Sequence, residues 1–397
     1  MSGRRKDNKG CVLKDGESQR KDGRYQYRYT DIYGKRKYLY ASTLNGLREK
    51  EAKLEQSLSS GLDYAGGEIT VYQQTVRYVS MKNAACYQTK RHYQYVLTIL
   101  KGEPFATKCI RDVKVSDAQQ WVGKLQQDGK CYSTIHGICS VVGPAFQLAY
   151  EDDIIPRNPF NFKLHNVIRN DSKRRQCMTP EQQECLMNFA RTDKVASKHH
   201  DIFAVLLYTG MRVSELCGLT ISDINLKERV IHVDHQLLKL DKGKYAVTTT
   251  KSKSGCRDIP ISGLAYQSLK NLIANRQSPK QELIIDGYSG FVLLNRNGKP
   301  KDAHQIEDSL RRTITRYNRQ NPDNPLPNIT PHMFRHTFCT NMANSGLDTK
   351  ALQYLMGHSD VSTTMNIYAH SSYAHAAEQM RRLDFSQSAK KRPAELA

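Results

Sequence analysis

The sequence predicts a multidomain fold in three parts: a small three-stranded β-sheet with one helix, an all-α domain, and a mixed α/β domain that is mainly helical. Three observations support this prediction. Near the N-terminus, tyrosines alternate with polar residues at the two-residue period of a strand. In the middle of the chain, apolar residues recur at steps of three and four, which is the period of a helix. In the last half, β-rich segments lie between long helical ones.

The charge of the chain favours a polyanionic partner. Lys and Arg number 60 of the 397 residues and Asp and Glu number 39, which gives a net charge of +21. Such an excess is typical of proteins that bind nucleic acid or an anionic membrane. No apolar run approaches the roughly 18 residues needed to span a bilayer, and the N-terminus has no apolar signal region. We therefore expect a cytoplasmic protein that binds nucleic acid and no membrane.

The first part, residues 1–65, is predicted to be a sheet packed on a helix. "GRYQYRYTDIYGKRKYLYAS" indicates a hairpin with its turn near 31–34 and its second strand at 37–41, and "CVLK" at 11–14 is expected to supply a third strand. "TLNGLREKEAKLEQSLSSG" indicates a helix that ends at Gly61.

This first part carries a strong positive charge. Residues 1–50 hold 14 Lys or Arg against 6 Asp or Glu, a balance of 14 − 6 = +8. A basic β-ribbon can enter the major groove of DNA, so we expect this sheet to bind DNA. The alternative is a solvated basic sheet whose only core is its tyrosines. The residues expected to contact DNA here are Arg20, Lys21, Arg24, Arg28, Lys37 and Tyr40.

Residues 66–168 form the predicted all-α domain. Four stretches carry apolar residues at helical spacing: "TVYQQTVRYVSMKN", "CYQTKRHYQYVLTILKG", "KVSDAQQWVGKLQQDGK" and "CYSTIHGICSVVGPAFQLAYEDDII". Basic side chains interrupt them, among them Lys82, Lys90 and Arg91, and no catalytic motif is present. This composition indicates a helical clamp on DNA.

A charged linker is predicted at 169–178, and the largest domain follows at 179–385. It begins with Thr179-Pro180-Glu181-Gln182, a helix start with a capping box. Its strands are predicted in "RVIHVDHQLLK" and in "KYAVTTTKSKSGCRDIPI", and the second segment is interpreted as a hairpin with basic residues at its turn. Residues 386–397 are predicted to be a disordered tail.

The stretch "TPHMFRHTF", which begins at Thr330, predicts an anion site at a helix start. Thr330 is expected to cap the helix with its hydroxyl, and Pro331 fits the first helical position. His332 and Arg335 are three residues apart, so they are expected on one face near the positive end of the helix dipole. Such a place suits an anion.

Three further segments of the largest domain each allow both a functional and a purely structural interpretation. Arg212 in "YTGMRVSELCGL" starts a helix, where a cation is disfavoured unless an anion is bound, but it could be an ordinary surface arginine. The basic residues of the predicted hairpin could simply be solvated. In "ALQYLMGHSDVSTTMNIYAH", His358 could cap the helix that ends at Gly357, and Tyr368 could fill core.

Taken together and in this order, the pieces resemble the tyrosine recombinases, the class of the phage lambda integrase and the bacterial chromosome-dimer resolvases. The strings that carry the resemblance are "TGMRVSEL", "TPHMFRHTF", "LMGHSDVSTT" and "IYAH", within residues 175–370. With the basic sheet and the helical domain before it, the chain is most similar to integrases of conjugative transposons. The resemblance implies an arm-type DNA-binding domain at 1–65, a core-site DNA-binding domain at 66–168 and a tyrosine-recombinase catalytic domain after the linker.

The resemblance also implies roles for single residues. Tyr368 would attack the scissile phosphate and form a 3′-phosphotyrosyl link with release of a 5′-hydroxyl. Arg212 and Arg335 would hold the non-bridging oxygens, because a planar guanidinium suits that geometry. His358 would donate another hydrogen bond, and His332 would assist proton transfer at the tyrosine.

Two assignments depend on weaker matches. Lys251 would protonate the leaving 5′-oxygen, and it fits the family's K-T-x-x-S-x-R pattern better than Lys253 because Arg257 then falls at the final arginine. Lys253 stays an alternative. Glu215, three residues after Arg212, matches the family's acidic position and is expected to orient the site.

No cofactor and no metal are expected. A covalent link to the enzyme conserves the energy of the phosphodiester bond, so a nucleotide cofactor is not needed. The sequence has neither a Walker A string nor a carboxylate cluster for magnesium. The ten cysteines show no C-x-x-C pair and no zinc-finger spacing, so they are expected to be reduced thiols.

The expected partner is double-stranded DNA with core crossover sites and separate arm sites, bound by a homo-tetramer in the bacterial cytoplasm at the nucleoid. An excisionase or a host DNA-bending protein is a further expected partner. "SSYAHAAEQMRRLDF", 371–385, is predicted to be a helix that docks on a neighbouring protomer or folds back on its own domain. Two other functions stay open: a type IB topoisomerase-like enzyme and a non-catalytic DNA-binding protein.

Overall fold

The computed structural model of the protein describes residues 5–30, 36–59, 69–83, 86–172, 177–250, 253–362 and 365, without the side chains of 56–59, 242 and 253. The chain divides into two compact units, Met1–Lys173 and Arg174–Ala397. Their boundary falls inside the predicted linker, and the division of the first unit at residue 65 stays a prediction. Within the described ranges, no helix is long and apolar enough to cross a membrane.

The first unit begins with a three-stranded antiparallel sheet that packs on one helix, as predicted. The core between sheet and helix is small and consists of Tyr25, Tyr29, Leu39, Leu47 and Leu54. The predicted hairpin turn and the predicted helix stop at Gly61 lie outside the described residues. The elements are β1 (Glu17–Gln19), β2 (Tyr25–Thr30), β3 (Arg36–Ala41) and α1 (Leu44–Ser59).

The third strand of this sheet lies at 17–19, so the prediction of a strand at 11–14 was wrong. Val12 makes only an isolated bridge with Lys6. Gly16, with a φ of +87°, turns the chain there, and its carbonyl accepts the N–H of Arg28 at 3.0 Å. The sequence that follows the turn, which begins with the buried Glu17, pairs with β2 instead.

The described residues of the rest of the first unit include four α-helices, in agreement with the predicted all-α domain. Their core includes a stacked pair of rings, Phe105 and Trp121, whose centroids are 4.7 Å apart, and Phe160 meets both edge-on. Thr70 and Gln73 form a capping box at the first of these helices. The helices are α2 (Val71–Ser80), α3 (Tyr87–Lys101), α4 (Val115–Gln127) and α5 (Tyr132–Glu151).

The second unit is mixed α/β and mainly helical, as predicted. The capping box of Thr179 and Gln182 is present at its first helix. Its helices are α6 (Pro180–Thr192), α7 (Ser197–Thr209), α8 (Val213–Gly218), α9 (Gly263–Ala274), α10 (Ala303–Gln320), α11 (Pro331–Asn344) and α12 (Thr349–Met356). Its strands are β4 (Ile224–Asn225), β5 (Val230–Val233), β6 (His235–Lys239), β7 (Tyr245–Thr249) and β8 (Arg257–Pro260).

The segment that was predicted to be one hairpin is divided between two sheets. β7 pairs with β6, and β8 pairs with β5, all antiparallel. Asp234 alone separates β5 from β6, and its carbonyl accepts the N–H of Thr250 at 3.1 Å. The turn between β6 and β7 is therefore 240–244, and β7 and β8, which were predicted to form one hairpin, belong to different sheets.

Helix α7 is buried along most of its length and packs against α6, α9 and α11. The rings of Phe203 on α7 and Phe334 on α11 stack at 5.9 Å. α7 ends at Gly210, which has a φ of +66°, and a Cβ on this glycine would lie 2.3 Å from the ring of Phe338. Only glycine lets α11 approach the end of α7 this closely.

Candidate active site

Three arginines from distant parts of the chain donate hydrogen bonds to the end of α12. The last carbonyl groups of a helix have no partner within the helix and form the negative end of its dipole, so they suit cationic donors. The bonds run from Nε of Arg257 to the carbonyl of Leu355 (2.7 Å), from Nη2 of Arg335 to that of Met356, and from Nη2 of Arg212 to that of Gly357 (3.3 Å).

Glu215 is the buried counter-charge of this arginine cluster. Its carboxylate accepts hydrogen bonds from Nη1 of Arg212 at 2.6 Å and from Nη2 of Arg257 at 2.9 Å. It also accepts the backbone N–H of Arg212 at 2.9 Å and so caps the start of α8. Burial by itself raises the pKa of Glu215, but the hydrogen bond and charge of Arg257, followed by the charges of the other two arginines, keep it below its ordinary value. Glu215 is therefore ionised.

Arg335 is the most constrained cation of the cluster. Its side chain is buried, and its Nη1 donates to the carbonyl of Gly210 at 2.8 Å. Burial, and then the neighbouring charge of Arg212, lower the pKa of Arg335 to about 9. Burial beside other cations disfavours the charged form of this guanidinium.

His358 follows the glycine that ends α12. Gly357 has a φ of +59°, and the backbone of His358 is held by Gln353, which accepts its N–H at 3.2 Å and donates Nε2–H to its carbonyl at 3.1 Å. Burial, followed by the charges of Arg335 and Arg212, lowers the pKa of His358 to about 4. The imidazole is therefore neutral near pH 7 and has one N–H to donate.

His332 and Arg335 do not share an environment, although they are three residues apart. His332 is exposed and its ring lies edge-on to that of His336, with the centroids 4.6 Å apart. Thr330 is at the N-cap position, as predicted, but its side chain makes no capping hydrogen bond; Pro331 occupies the first turn. Helix α11 packs against α12, and the guanidinium of Arg335 is therefore directed at the end of α12.

The structure thus brings together four of the predicted site residues: Arg212, Glu215, Arg335 and His358. Lys251 and Tyr368 lie outside the described residues, and so does the segment 371–397 with the predicted assembly helix and tail. Lys253 is in a short helical turn, without a described side chain.

Arg257 belongs to the arginine cluster, although from the sequence it served only to align Lys251 with the family pattern. Its side chain is fully buried and bound to Glu215. The sequence offers one signal: Arg257 and Ile259 are two residues apart, so on a strand they share one face, and β8 does bury both. A charge at such a position needs a buried partner.

The predicted DNA-binding residues of the sheet differ in their surroundings. Arg28 pairs with Tyr38 on the face away from α1. Tyr40 is on the same face, and the guanidinium of Arg20 lies 5.4 Å from its ring centroid. Lys37 pairs with Tyr29 and so has the position of the face that packs on α1.

The other predicted DNA contacts are exposed. Arg24 precedes β2 and forms an ion pair with Asp22 at 2.8 Å, and Lys21 lies in the adjoining turn. In the helical part, the ammonium of Lys82 lies 4.8 Å from the ring centroid of Tyr78. Lys90 and Arg91 are exposed on the first turns of α3. None of these positions by itself tests the prediction.

Within the described part of the chain, one group of side chains could bring three metal-ligand atoms together: Asp223, Asp234 and His235, within 4.8 Å of one another. Nε2 of His235 lies 2.8 Å from the carbonyl of Gly218, which can only accept, so this nitrogen carries a proton. Asp223 accepts two hydrogen bonds from Thr220. The arrangement is that of a hydrogen-bonded network.

Comparison with known proteins identifies the family of the chain. The model of the phage integrase family matches residues 176–375, and that of the DNA binding domain of tn916 integrase matches residues 1–58. The chain belongs to the phage integrase family. The transposase from transposon Tn916 of Enterococcus faecalis is 39% identical to this integrase over 97% of the chain and 98% of the relative. The transposase from transposon Tn1545 of Streptococcus pneumoniae gives the same values.

Solved structures of integrases have a similar fold. The Tn1549 transposon integrase in complex with a circular intermediate DNA is 37% identical to this integrase, with a TM-score of 0.75 over 79% of this chain and 99% of that one. The lambda integrase tetramer bound to a Holliday junction is 17% identical, with a TM-score of 0.53, and shows the fold alone. The predicted family, fold class and recombinase function are confirmed: this integrase is an enzyme that recombines DNA site-specifically in transposon integration and excision.

Proposed function

We propose that this integrase inserts and removes a mobile element such as a conjugative transposon by cutting and rejoining DNA through Tyr368. The tyrosine oxygen attacks phosphorus, the bond to the 5′-oxygen breaks, and a 3′-phosphotyrosyl link forms. Attack by the 5′-hydroxyl of another strand reverses the step and gives a Holliday junction. The observation that carries this proposal is the convergence of Arg212, Arg335 and His358 at the end of α12.

The arginine cluster supplies the charge that phosphoryl transfer needs. The pentavalent phosphorus gains negative charge, and fixed donors that are already in place stabilise it at no cost of reorganisation. Arg212 is held by Glu215, yet its side chain is 38% exposed, so it can reach a bound phosphate. Arg335 is fixed by two carbonyl acceptors and offers its remaining N–H groups to a non-bridging oxygen. His358 donates as a neutral imidazole.

Two proton transfers complete the reaction. His332 assists removal of the proton from the hydroxyl of Tyr368, and its exposure leaves it accessible to a nucleophile from outside the core. Lys251 protonates the leaving 5′-oxygen, with Lys253, two residues later in the chain, as the alternative. The chain supplies every group that this reaction uses.

The experiment that tests the nucleophile is trapping on a nicked suicide substrate, whose cleaved fragment diffuses away before religation. The wild-type protein and Tyr373→Phe should give a covalent DNA adduct, and Tyr368→Phe should bind the same DNA without one. An adduct from Tyr368→Phe, or loss of the adduct in Tyr373→Phe alone, would refute the assignment. Transfer of strands between two duplexes, rather than religation only, separates a recombinase from a topoisomerase.

The assembly that we propose is a homo-tetramer on two duplexes in the bacterial cytoplasm, at the nucleoid. One duplex has two cleavage positions, so exchange between two duplexes needs four protomers. The N-terminal sheet would bind arm sites separate from the crossover site. An excisionase or a host DNA-bending protein would set the direction of the reaction.

A further inference from the structure

A strongly basic groove lies in the second unit, apart from the arginine cluster. It consists of two adjoining cavities of about 890 and 670 Å³. Lys198, His199, Arg296, Lys301 and Arg312 line both cavities, so we treat them as one groove. Its walls are the start of α7, the loop before α10 and one side of α10.

Basic side chains predominate in this groove. Five arginines and two lysines line the smaller cavity, and neither Asp nor Glu does. The larger cavity is lined by two lysines and three arginines together with Asp201 and Asp308, and Asp308 is paired with Arg311 at 2.6 Å. Arg316 is paired with Asp193 at 2.7 Å, outside the lining. In the part of the chain that the structure describes, no carboxylate lies within 4 Å of Lys198, Arg296 or Arg312. Arg312 and Arg316 are also four residues apart on α10, a spacing at which like charges destabilise a helix.

Two residues of the groove have lowered pKa values, and burial is the largest cause for both. Burial, and then the charges of Lys301 and Lys198, lower the pKa of His199 to about 4. Burial lowers the pKa of Lys301. Nδ1 of His199 is buried without a hydrogen-bond partner among the described residues. A bound anion would relieve the repulsion and give this nitrogen a partner.

We propose that this groove is a second phosphate-binding surface of the integrase and holds the backbone of duplex DNA outside the cleaved position. The groove is at the start of α7 and the arginine cluster is at its end, so the length of a 13-residue helix, about 20 Å, separates them. A duplex carries about twelve phosphate charges over that length. The duplex that supplies the scissile phosphate therefore has others for the groove.

This inference rests on the proposed function, and its test does not need cleavage. Lys198→Gln, Arg296→Gln and Arg312→Gln are combined in one variant. The control combines Lys227→Gln, Lys270→Gln and Lys280→Gln, three exposed lysines of the same unit that do not line the groove. Both variants lose three positive charges, so their net charges stay equal.

The affinity for an uncleaved duplex is measured as a function of salt concentration. Each lost phosphate contact makes the slope of log K against log salt shallower by about 0.9, so the groove variant should lose up to about three units of slope and the control far less. Equal slopes for the two variants would overturn the proposal. Adduct formation at saturating DNA and low salt should be unchanged in the control variant. Absence of an adduct in the wild-type protein would refute the proposed function and leave the slopes to decide on the groove.

The imidazole of His199 gives a local second readout. Its NMR titration, assigned with His199→Gln, should move from about 4 toward its ordinary value when duplex DNA is added, because phosphates reduce the positive field. Inorganic pyrophosphate serves as the comparison ligand. A shift with pyrophosphate but none at saturating duplex would identify a small-anion site and overturn the proposal.

Discussion

Replacement of Glu215 by glutamine should destabilise the second unit severely without changing its shape. Glu215→Gln keeps the size of the side chain but removes the only carboxylate bound to Arg212 and Arg257 among the described residues. Both oxygens are used in the native state, with bonds of 2.6 Å and 2.9 Å to the two guanidinium groups. The amide cannot accept at both positions, and the fully buried guanidinium of Arg257 is left without a carboxylate.

The size of the effect follows from this burial. Loss of one partner of a buried ion pair costs about 3–5 kcal/mol. The second unit has 397 − 173 = 224 residues, and for a unit of that size each kcal/mol lowers Tm by about 2–4 °C. We therefore expect calorimetry to show a Tm roughly 6–20 °C lower for Glu215→Gln.

Asp308→Asn is the matched control. Asp308 binds Arg311 at 2.6 Å on the surface, where the side chains are 26% and 69% exposed, and such a pair is worth about 0–1 kcal/mol. Phosphate or duplex DNA should recover part of the stability of Glu215→Gln, because an anion replaces the lost charge. A loss for Glu215→Gln no larger than that for Asp308→Asn would refute the account of the arginine cluster.

Four further predictions follow from single features. Burial, and then the carboxylate of Glu17, raise the pKa of Glu51 from 4.5 to about 7, so between these two values the folded state keeps a proton that the unfolded chain has released. Hydrogen exchange in β2 should therefore show stability falling as the pH rises from about 4.5 to about 7, in the wild type but not in Glu51→Gln. Gly357→Ala should lose about 1–2 kcal/mol to its left-handed φ and also lose cleavage, since a Cβ would lie 3.1 Å from Nη1 of Arg257; Gly243→Ala, with a φ of +72° and open space, should lose stability but keep cleavage. Arg28→Gln should weaken binding to arm-site fragments and leave cleavage at core sites intact, and equal arm affinity would contradict the proposed arm domain. Removal of 372–397 should weaken synaptic complexes on native gels more than adduct formation on half-sites, and normal assembly would show that this segment is not an assembly element.

Much of the fold could be predicted because it depends on local patterns. The alternation of Tyr25, Tyr27 and Tyr29 predicts a strand, and each of these residues does face the helix. The capping box at Thr179 uses groups three residues apart, which sequence shows directly. The third strand was misplaced because "CVLK" has strand-like residues, whereas the real strand begins with a buried glutamate. Its burial depends on Arg48, 31 residues away, and no local pattern reports that contact.

The sequence predicted which residues form the candidate site but not the contacts that hold them in place. Arg212, Arg335 and His358 were named from their motifs. The acceptors that hold them were not, because Arg212 is 145 residues from Gly357 and Arg257 is 98 residues from Leu355. Carbonyl groups leave no signature in a sequence.

The end of α12 explains how the fold tolerates three neighbouring cations. The arginines contribute three positive charges, Glu215 one negative charge, and the C-terminal end of the helix about half of one. A surplus of about one and a half positive charges is left, which agrees with the lowered pKa values of Arg335 and His358. A phosphodiester carries one negative charge and its pentavalent state carries two, so the surplus lies between the ground state and the transition state. If this cluster holds the scissile phosphate as we propose, it stabilises the transition state more strongly than the substrate, which is the condition for catalysis.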